Sequence, residues 1–304
     1  MMHTKKSLGS KIFDFVNILF LSLLTLSVIY PFVYMFSQSI SDYVAVGKGE
    51  ITFLPKGIQW ESYKTVLGDS QIGTAYANSI YYTVVATVIT VFANGLAAYS
   101  ISHPDFKMRK FFVMMFMFTM FFSGGMIPNY LNKKNLGLLD TVWAMVLPSV
   151  SMWNIMLMQT NFKQISPSLR ESAYLDGAGD WYVFWRIYMP LSKAIIATVA
   201  VFAAVTNWNN YFAALLYLTS PSKEPLPVLL RRILISNENL QSSVEAAAAA
   251  TSSLSGDTDP VTYQGMMTSI KMATVFVTIG PIILVYPFAQ KYFVKGVMVG
   301  SVKG

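Results

Sequence analysis

Two short clusters hold the residues whose types and spacing can do chemistry. The first is Ser168–Pro190, SLRESAYLDGAGDWYVFWRIYMP. Ser168 and Glu171 stand three apart, the spacing of a capping box, in which a hydroxyl and a carboxylate satisfy the free N–H groups at a helix start. Leu169, Ala173 and Leu175 favour the helix that follows, and Gly177 and Gly179 permit the backbone turn that stops it. Asp180 is placed to cap a second helix, Trp181–Tyr188, ending before Pro190. The second cluster is Asn207-Trp208-Asn209-Asn210-Tyr211 inside an apolar run. Amides both donate and accept, and aromatic faces pack on sugar C–H surfaces, so the cluster suits a polyhydroxyl ligand. Helix-to-helix hydrogen bonding accounts for it equally well. On one helix Asn207 and Tyr211 share a face with Asn210 beside it, which ranks these three ahead of Trp208 and Asn209.

Catalytic chemistry is missing. No Ser/His/Asp set or paired carboxylates fall at a common depth. His3 and His103 are too isolated for a metal site, and the chain has no cysteine. The tail Gly296–Gly304 has Gly, Lys and Ser but not the phosphate-cradling P-loop spacing, so ATP is not expected to bind here.

The elements that must position these clusters are membrane helices. Of 304 residues, 54% are hydrophobic and only 12% charged. Soluble domains carry about 25% charged residues. Six apolar stretches approach the length of about 20 residues that crosses a bilayer. They run 13–37, 74–100, 111–127, 141–160, 194–218 and 270–292, within one domain spanning 1–304. Lys5, Lys6 and Lys11 precede the first stretch, which is too long for a signal-peptide core and has no small-residue cleavage site after it, so it reads as a retained span. Thirteen Lys and Arg fall with the termini and the 101–110 and 161–193 segments, against nine on the other side, whose loops are longer. The positive-inside rule then puts both termini and 161–193 in the cytoplasm, and 38–73 and 219–269 outside. The net charge of +7 reflects this bias rather than nucleic-acid binding. Phe53–Gly57 and Trp60–Tyr63 read as a short folded lid. Ala246–Ala250 reads as a helix ending near Thr251. Gly124-Gly125, Pro148, Gly280-Pro281 and Pro287 permit kinks or close packing. The methionines from Met114 to Met126 read as adaptable core.

No Asp, Glu, Lys, Arg or His sits near the middle of any span. Asp14, Lys271 and Lys291 lie at ends, where side chains reach the interface. Ion-coupled carriers need intramembrane ionisable groups or broken-helix ion sites, so energy must come from a partner. A stand-alone secondary carrier or channel for a small polar solute is the alternative.

The first cluster resembles the EAA loop of binding-protein-dependent ABC importer permeases. The resemblance rests on Glu171, Ala173, Asp176-Gly177-Ala178, Ile187 and Pro190, with Ser172 a mild departure at a small-residue position. Phe122–Pro128, Asn135–Leu138, Lys291–Gly296 and Val302-Lys303-Gly304 resemble the carbohydrate-uptake branch, most nearly its permeases for complex oligosaccharides, related to the maltose permease. The resemblance implies an all-α, six-helix, type I importer permease in a bacterial cell membrane. It implies a second, different permease, two ATPases that bind ATP and Mg, an extracellular sugar-binding protein that touches the outer loops, and an oligosaccharide cargo. Ser168, Glu171, Ser172, Ala173, Asp176, Gly177 and Ala178 would form the helix that docks into the ATPase, with Glu171 paired to a basic group there. Asn207–Tyr211 would lie near the sugar. No metal site or resident cofactor is implied.

Overall fold

The computed structural model describes residues 8–147, 150–233, 235 and 259–301. The readings at His3, Lys5, Lys6, Pro148, the 246–250 helix and the 302–304 tail lie outside these residues. In chain order the helices are α1 (Leu8–Ser39), α2 (Tyr43–Gly47), α3 (Glu61–Gly68), α4 (Ser70–Ser102), α5 (Arg109–Phe121), α6 (Met126–Asn135), α7 (Trp143–Val146) and α8 (Met152–Phe162). Then come α9 (Pro167–Leu175), α10 (Asp180–Val183), a π turn over Phe184–Tyr188, α11 (Met189–Leu191), α12 (Lys193–Trp208) and α13 (Tyr211–Tyr217). After a short 3₁₀ turn, α14 covers 226–233 and α15 covers Pro260–Ser301.

Two unbroken helices among the described residues are long and apolar enough to cross a membrane, Gly9–Ser39 and Ser70–Ser102. Two bent pairs pass the same test together. Arg109–Phe121 and Met126–Asn135 meet at 117°, and Asp180–Leu191 and Lys193–Trp208 at 85°. The first bend falls at Phe122-Ser123-Gly124-Gly125, where Gly125 has φ +85°. That left-handed conformation is open to glycine and strained for other residues.

The chain divides into two compact units. One comprises Met1–Asp69 and Leu230–Ile279. In it, α1 leaves its apolar side chains bare from Ile12 to Phe32. Moving each such side chain out of water is worth roughly 1.5–3 kcal/mol, so α1 as it stands suits lipid. The end of α1 is different, because Ser37–Ser41 are buried. Ser37 Oγ donates to the Phe53 carbonyl at 2.8 Å, and Ser41 Oγ accepts from Lys56 N–H at 3.1 Å. The Gln59 amide donates to the Ser41 carbonyl at 2.8 Å. These bonds fold the 50–59 segment onto the helix end. Asp42 Oδ2 accepts from Val44 and Ala45 N–H and so caps α2. The helices α2 and α15 cross through glycines. A Cβ on Gly265 would stand 1.8 Å from the Tyr43 carbonyl oxygen, and one on Gly47 would stand 2.0 Å from that of Val261.

The second unit comprises Ser70–Leu229 and Gly280–Gly304, and α4 is its axis. The face of α4 that carries Val91, Gly95 and Ala98 packs on α8 and α12. Ile155, Met158, Phe162 and Val199, all nearly inaccessible, fill the space between them. A Cβ on Gly95 would press on Met158 at 3.2 Å. Asn94, fully buried, bonds the Thr90 carbonyl at 2.7 Å and accepts from Ser151 N–H at 2.9 Å, pinning the start of α8 to α4. Gln159 donates to the Ile101 carbonyl at 2.9 Å and satisfies one free acceptor at the end of α4.

Gly265→Ala should cost about 1–3 kcal/mol and lower the melting temperature of the purified protein, because two backbones must part. Gly73→Ala, inside α4 with open space around it, should be neutral or gain up to about 1 kcal/mol. Equal melting shifts for the pair would contradict the crossing.

Candidate functional site

The 166–191 segment folds as a helix, a glycine turn and a second helix. Its details differ from the spacing argument. Pro167, with its preset φ, opens α9, and Ser166 precedes it. Ser168 therefore lies inside the first turn, and its hydroxyl meets that of Ser166 at 2.8 Å, so no capping box forms with Glu171. Gly177 adopts φ +83° and ends the helix, and Ala178 N–H returns to the Ala173 carbonyl at 2.9 Å. Asp180 does not cap the second helix. It is that helix's first residue, and Gly179 stands at the cap without a side chain to accept from the free N–H groups. The second helix also passes Pro190. The π turn just before it widens the backbone, which relieves the clash a proline ring makes with the carbonyl a turn earlier.

Two faces of α9 do different things. Ala173, with Ala178 after the turn, packs on the α4–α8–α12 core. Ser168, Glu171, Ser172, Asp176 and Gly177 are exposed, and Leu175 is 89% exposed.

The tether is a polar network that sequence reading missed. The Arg170 side chain is only 11% exposed. Its guanidinium donates to His103 Nδ1 and to Asp105 Oδ2 at 3.4 Å, both on the segment between α4 and α5. Asp180 Oδ1 accepts from the Tyr99 hydroxyl at 3.2 Å and from that of Tyr174. The Tyr99 ring meets His103 edge-on, with centroids 4.3 Å apart. Burial, then the Arg170 charge, pulls the His103 pKa below its ordinary 6.5, against a weaker upward pull from Asp180 and Asp105. His103 is thus held neutral, with Nδ1 as acceptor. These residues surround a cavity of about 510 Å³.

A second cavity, of about 580 Å³, lies between α4, the start of α8 and the end of α12. Thr90, Ser151, Trp153, Asn154, Thr206 and Asn207 contribute its polar and aromatic wall. Of the second sequence cluster, only Asn207 lines it. Trp208 ends α12, Asn209 and Asn210 form the break, and Tyr211 starts α13. Asn209 spends its amide on the Val205 carbonyl at 3.0 Å. Trp153 and Asn154 had no sequence signal, because the fold alone brings them beside Asn207.

Asp140 ties two other turns together. It is the one non-glycine with positive φ, +54°, among the described residues. Its carboxylate accepts from the Ser220 hydroxyl at 2.6 Å, from Thr219 and Ser220 N–H at 3.0 Å, and from Lys223 at 3.0 Å. The Ser220 hydroxyl and N–H, then Lys223 and Thr219, hold it well below the usual carboxylate range. With every oxygen occupied, Asp140 is structural.

Residues 111–299 match the family described as binding-protein-dependent transport system inner membrane component. The chain is 36% identical over 296 residues to the polygalacturonan/rhamnogalacturonan transport system permease protein YtcP of Bacillus subtilis (strain 168), covering 97% of this chain and 99% of that one. It is 37% identical over 304 residues to protein LplC of the same organism, covering 100% and 98%. A solved bacterial ABC transporter involved in import of the acidic polysaccharide alginate contains a chain that superposes with a TM-score of 0.82 at 36% identity, covering 95% of this chain and 99% of that one. The chain belongs to the binding-protein-dependent transport system inner membrane component family. It is the membrane subunit of an ABC importer, with the type I permease fold, and a transport subunit rather than an enzyme or a stand-alone carrier.

The neutral His103 ring stabilises the α9 seat fully above pH 6.5, and that contribution is lost as pH falls through the folded value. The protection factors of amides 172–178, with exchange corrected for its intrinsic pH dependence, should therefore fall as pH drops from about 7.5 to 5. His103→Gln, whose side-chain oxygen still accepts from Arg170, should flatten that fall. An unchanged pH dependence in the variant would contradict the role given to His103.

Proposed function

We propose that this chain forms half of the pathway for an oligosaccharide and takes its energy through α9. Its partners are a second, different permease, two ATPases that carry ATP and Mg, and an extracellular sugar-binding protein. The chain itself holds no cofactor. Six spans cross the bacterial cell membrane, with both termini and 161–193 inside and 38–73 and 219–269 outside. The third span is counted from the bent pair Arg109–Phe121 and Met126–Asn135, which together are apolar and long enough, and the fifth from α12 continued by α13. The cargo is an oligosaccharide fragment of a polysaccharide. The names of YtcP and of the alginate importer support that class.

One observation carries the reading. Ser168, Glu171, Ser172 and Leu175 face outward on α9 while Arg170 and Ala173 fasten the same helix to α4 and its core. A helix exposed on one side and locked on the other acts as a lever. ATPase closure would push α9, and the push would pass into α4, α8 and α12 as a rigid-body movement between two states. Glu171 supplies the charge that pairs with a basic group in the ATPase cleft, and Gly177 sets the exit angle.

Glu171→Arg should abolish ATP-driven uptake while the complex is still expressed in the membrane. Uptake at the unmodified level in that variant would sink the docking role.

A further inference from the structure

We infer that the cavity between α4, α8 and α12 is a subsite that reads the uncharged face of a sugar ring and ignores its charge. The inference rests on the oligosaccharide reading above. The cavity's volume of about 580 Å³ falls in the range of small-ligand sites. Its wall has a specific chemistry. Trp153 is 58% exposed at the mouth, so one face of its indole is free to pack on C–H bonds. Asn154 and Asn207, from facing helices, are half-buried, and neither amide makes a side-chain hydrogen bond among the described residues. An amide that lines a cavity without a protein partner is free to pair with a ligand bearing both donors and acceptors. Sugar hydroxyls are such a ligand. Thr206 donates its hydroxyl proton to the Phe202 carbonyl at 2.8 Å and keeps its lone pairs as acceptors.

No lining residue among those described is charged. A carboxylate in such a wall would be stripped of water without a cation in return. The subsite therefore takes hydroxyls and a pyranose face, and the carboxylate of a uronic acid points away from this chain. Asn94 holds the site's shape, because its oxygen fixes Ser151 N–H at the point where α8 begins.

The test uses the assembled importer with its binding protein in proteoliposomes. The probes are trigalacturonic acid, its methyl ester and a neutral galactotriose. Trp153→Ala should raise the KM for uptake about tenfold, and Trp153→Phe should stay within about threefold of the unmodified importer. The Trp153→Ala factor should be the same for acid and ester. Asn207→Asp, which adds a negative charge to the wall, should weaken uptake of the acid and spare the ester. Co-purification with the ATPase establishes that each variant assembles. Three results would overturn the subsite: Trp153→Ala with an unchanged KM, a loss confined to the acid, or equal losses in Trp153→Ala and Trp153→Phe. If the unmodified importer moves none of the three sugars with ATP, the oligosaccharide reading falls for this class and the subsite with it. If it moves one and the variants match it, only the subsite falls.

Discussion

The structure depends on how α9 is fastened to α4. Arg170 reaches back from α9 to His103 and Asp105 just past the end of α4. Asp180, after the glycine turn, gathers the hydroxyls of Tyr99 on α4 and Tyr174 on α9. A charged group nearly out of water is tolerated only when its partners are in place. If the first tie fails, a guanidinium nearly out of water loses its partners, so α9 has one seat rather than a range of poses. Beneath the ties, Val183, Phe184 and Tyr188 are buried against Tyr99 and Phe162. Apolar burial supplies the adhesion, and the polar pairs set the register.

A chain this apolar gains little specificity from burial alone, because lipid is as good a solvent as another helix. Close approach and buried polar groups set which surfaces meet. Gly95 lets Met158 and Phe184 pack against α4, and Gly47 and Gly265 let α2 and α15 touch by their backbones. Asn94, Gln159 and Ser39 each spend a side-chain bond on a backbone or side-chain partner distant in the chain. The breaks follow the same logic. Backbone that leaves the helix at Ser123–Gly125 or Asn209–Asn210 needs partners, and Asn209 N–H finds the Val205 carbonyl at 3.1 Å.

What the sequence made legible was local. Gly177 was readable as a turn because a positive φ is a requirement of the residue itself. The all-helical membrane class followed from the low charge and long apolar runs. The EAA-like letters of 171–178 were readable because they are contiguous. The helix start was misread because Ser-x-x-Glu matches a capping box at Ser168, while the proline before it already fixes the first turn. Pro190 looked like a stop because a π turn leaves no mark in composition. Asn207, Asn210 and Tyr211 looked like one helical face, yet the chain breaks inside it and only Asn207 reaches the cavity. His103 and Arg170 lie 67 positions apart, and Trp153 and Asn207 are comparably remote, so nothing in either neighbourhood announces the other.

The most direct test of the account is whether α9 moves with α4 as one body. The chain has no cysteine, so Leu175→Cys and Ser100→Cys offer two specific sites for spin labels in an importer whose other subunits are cysteine-free. The distance between the labels would be measured by pulsed electron resonance without nucleotide and with ATP trapped. The account predicts one distance distribution in both states, because the Arg170 and Asp180 ties keep α9 on its seat while the whole unit turns. A second distance appearing with ATP would mean that α9 slides on α4, and the lever would then lie elsewhere.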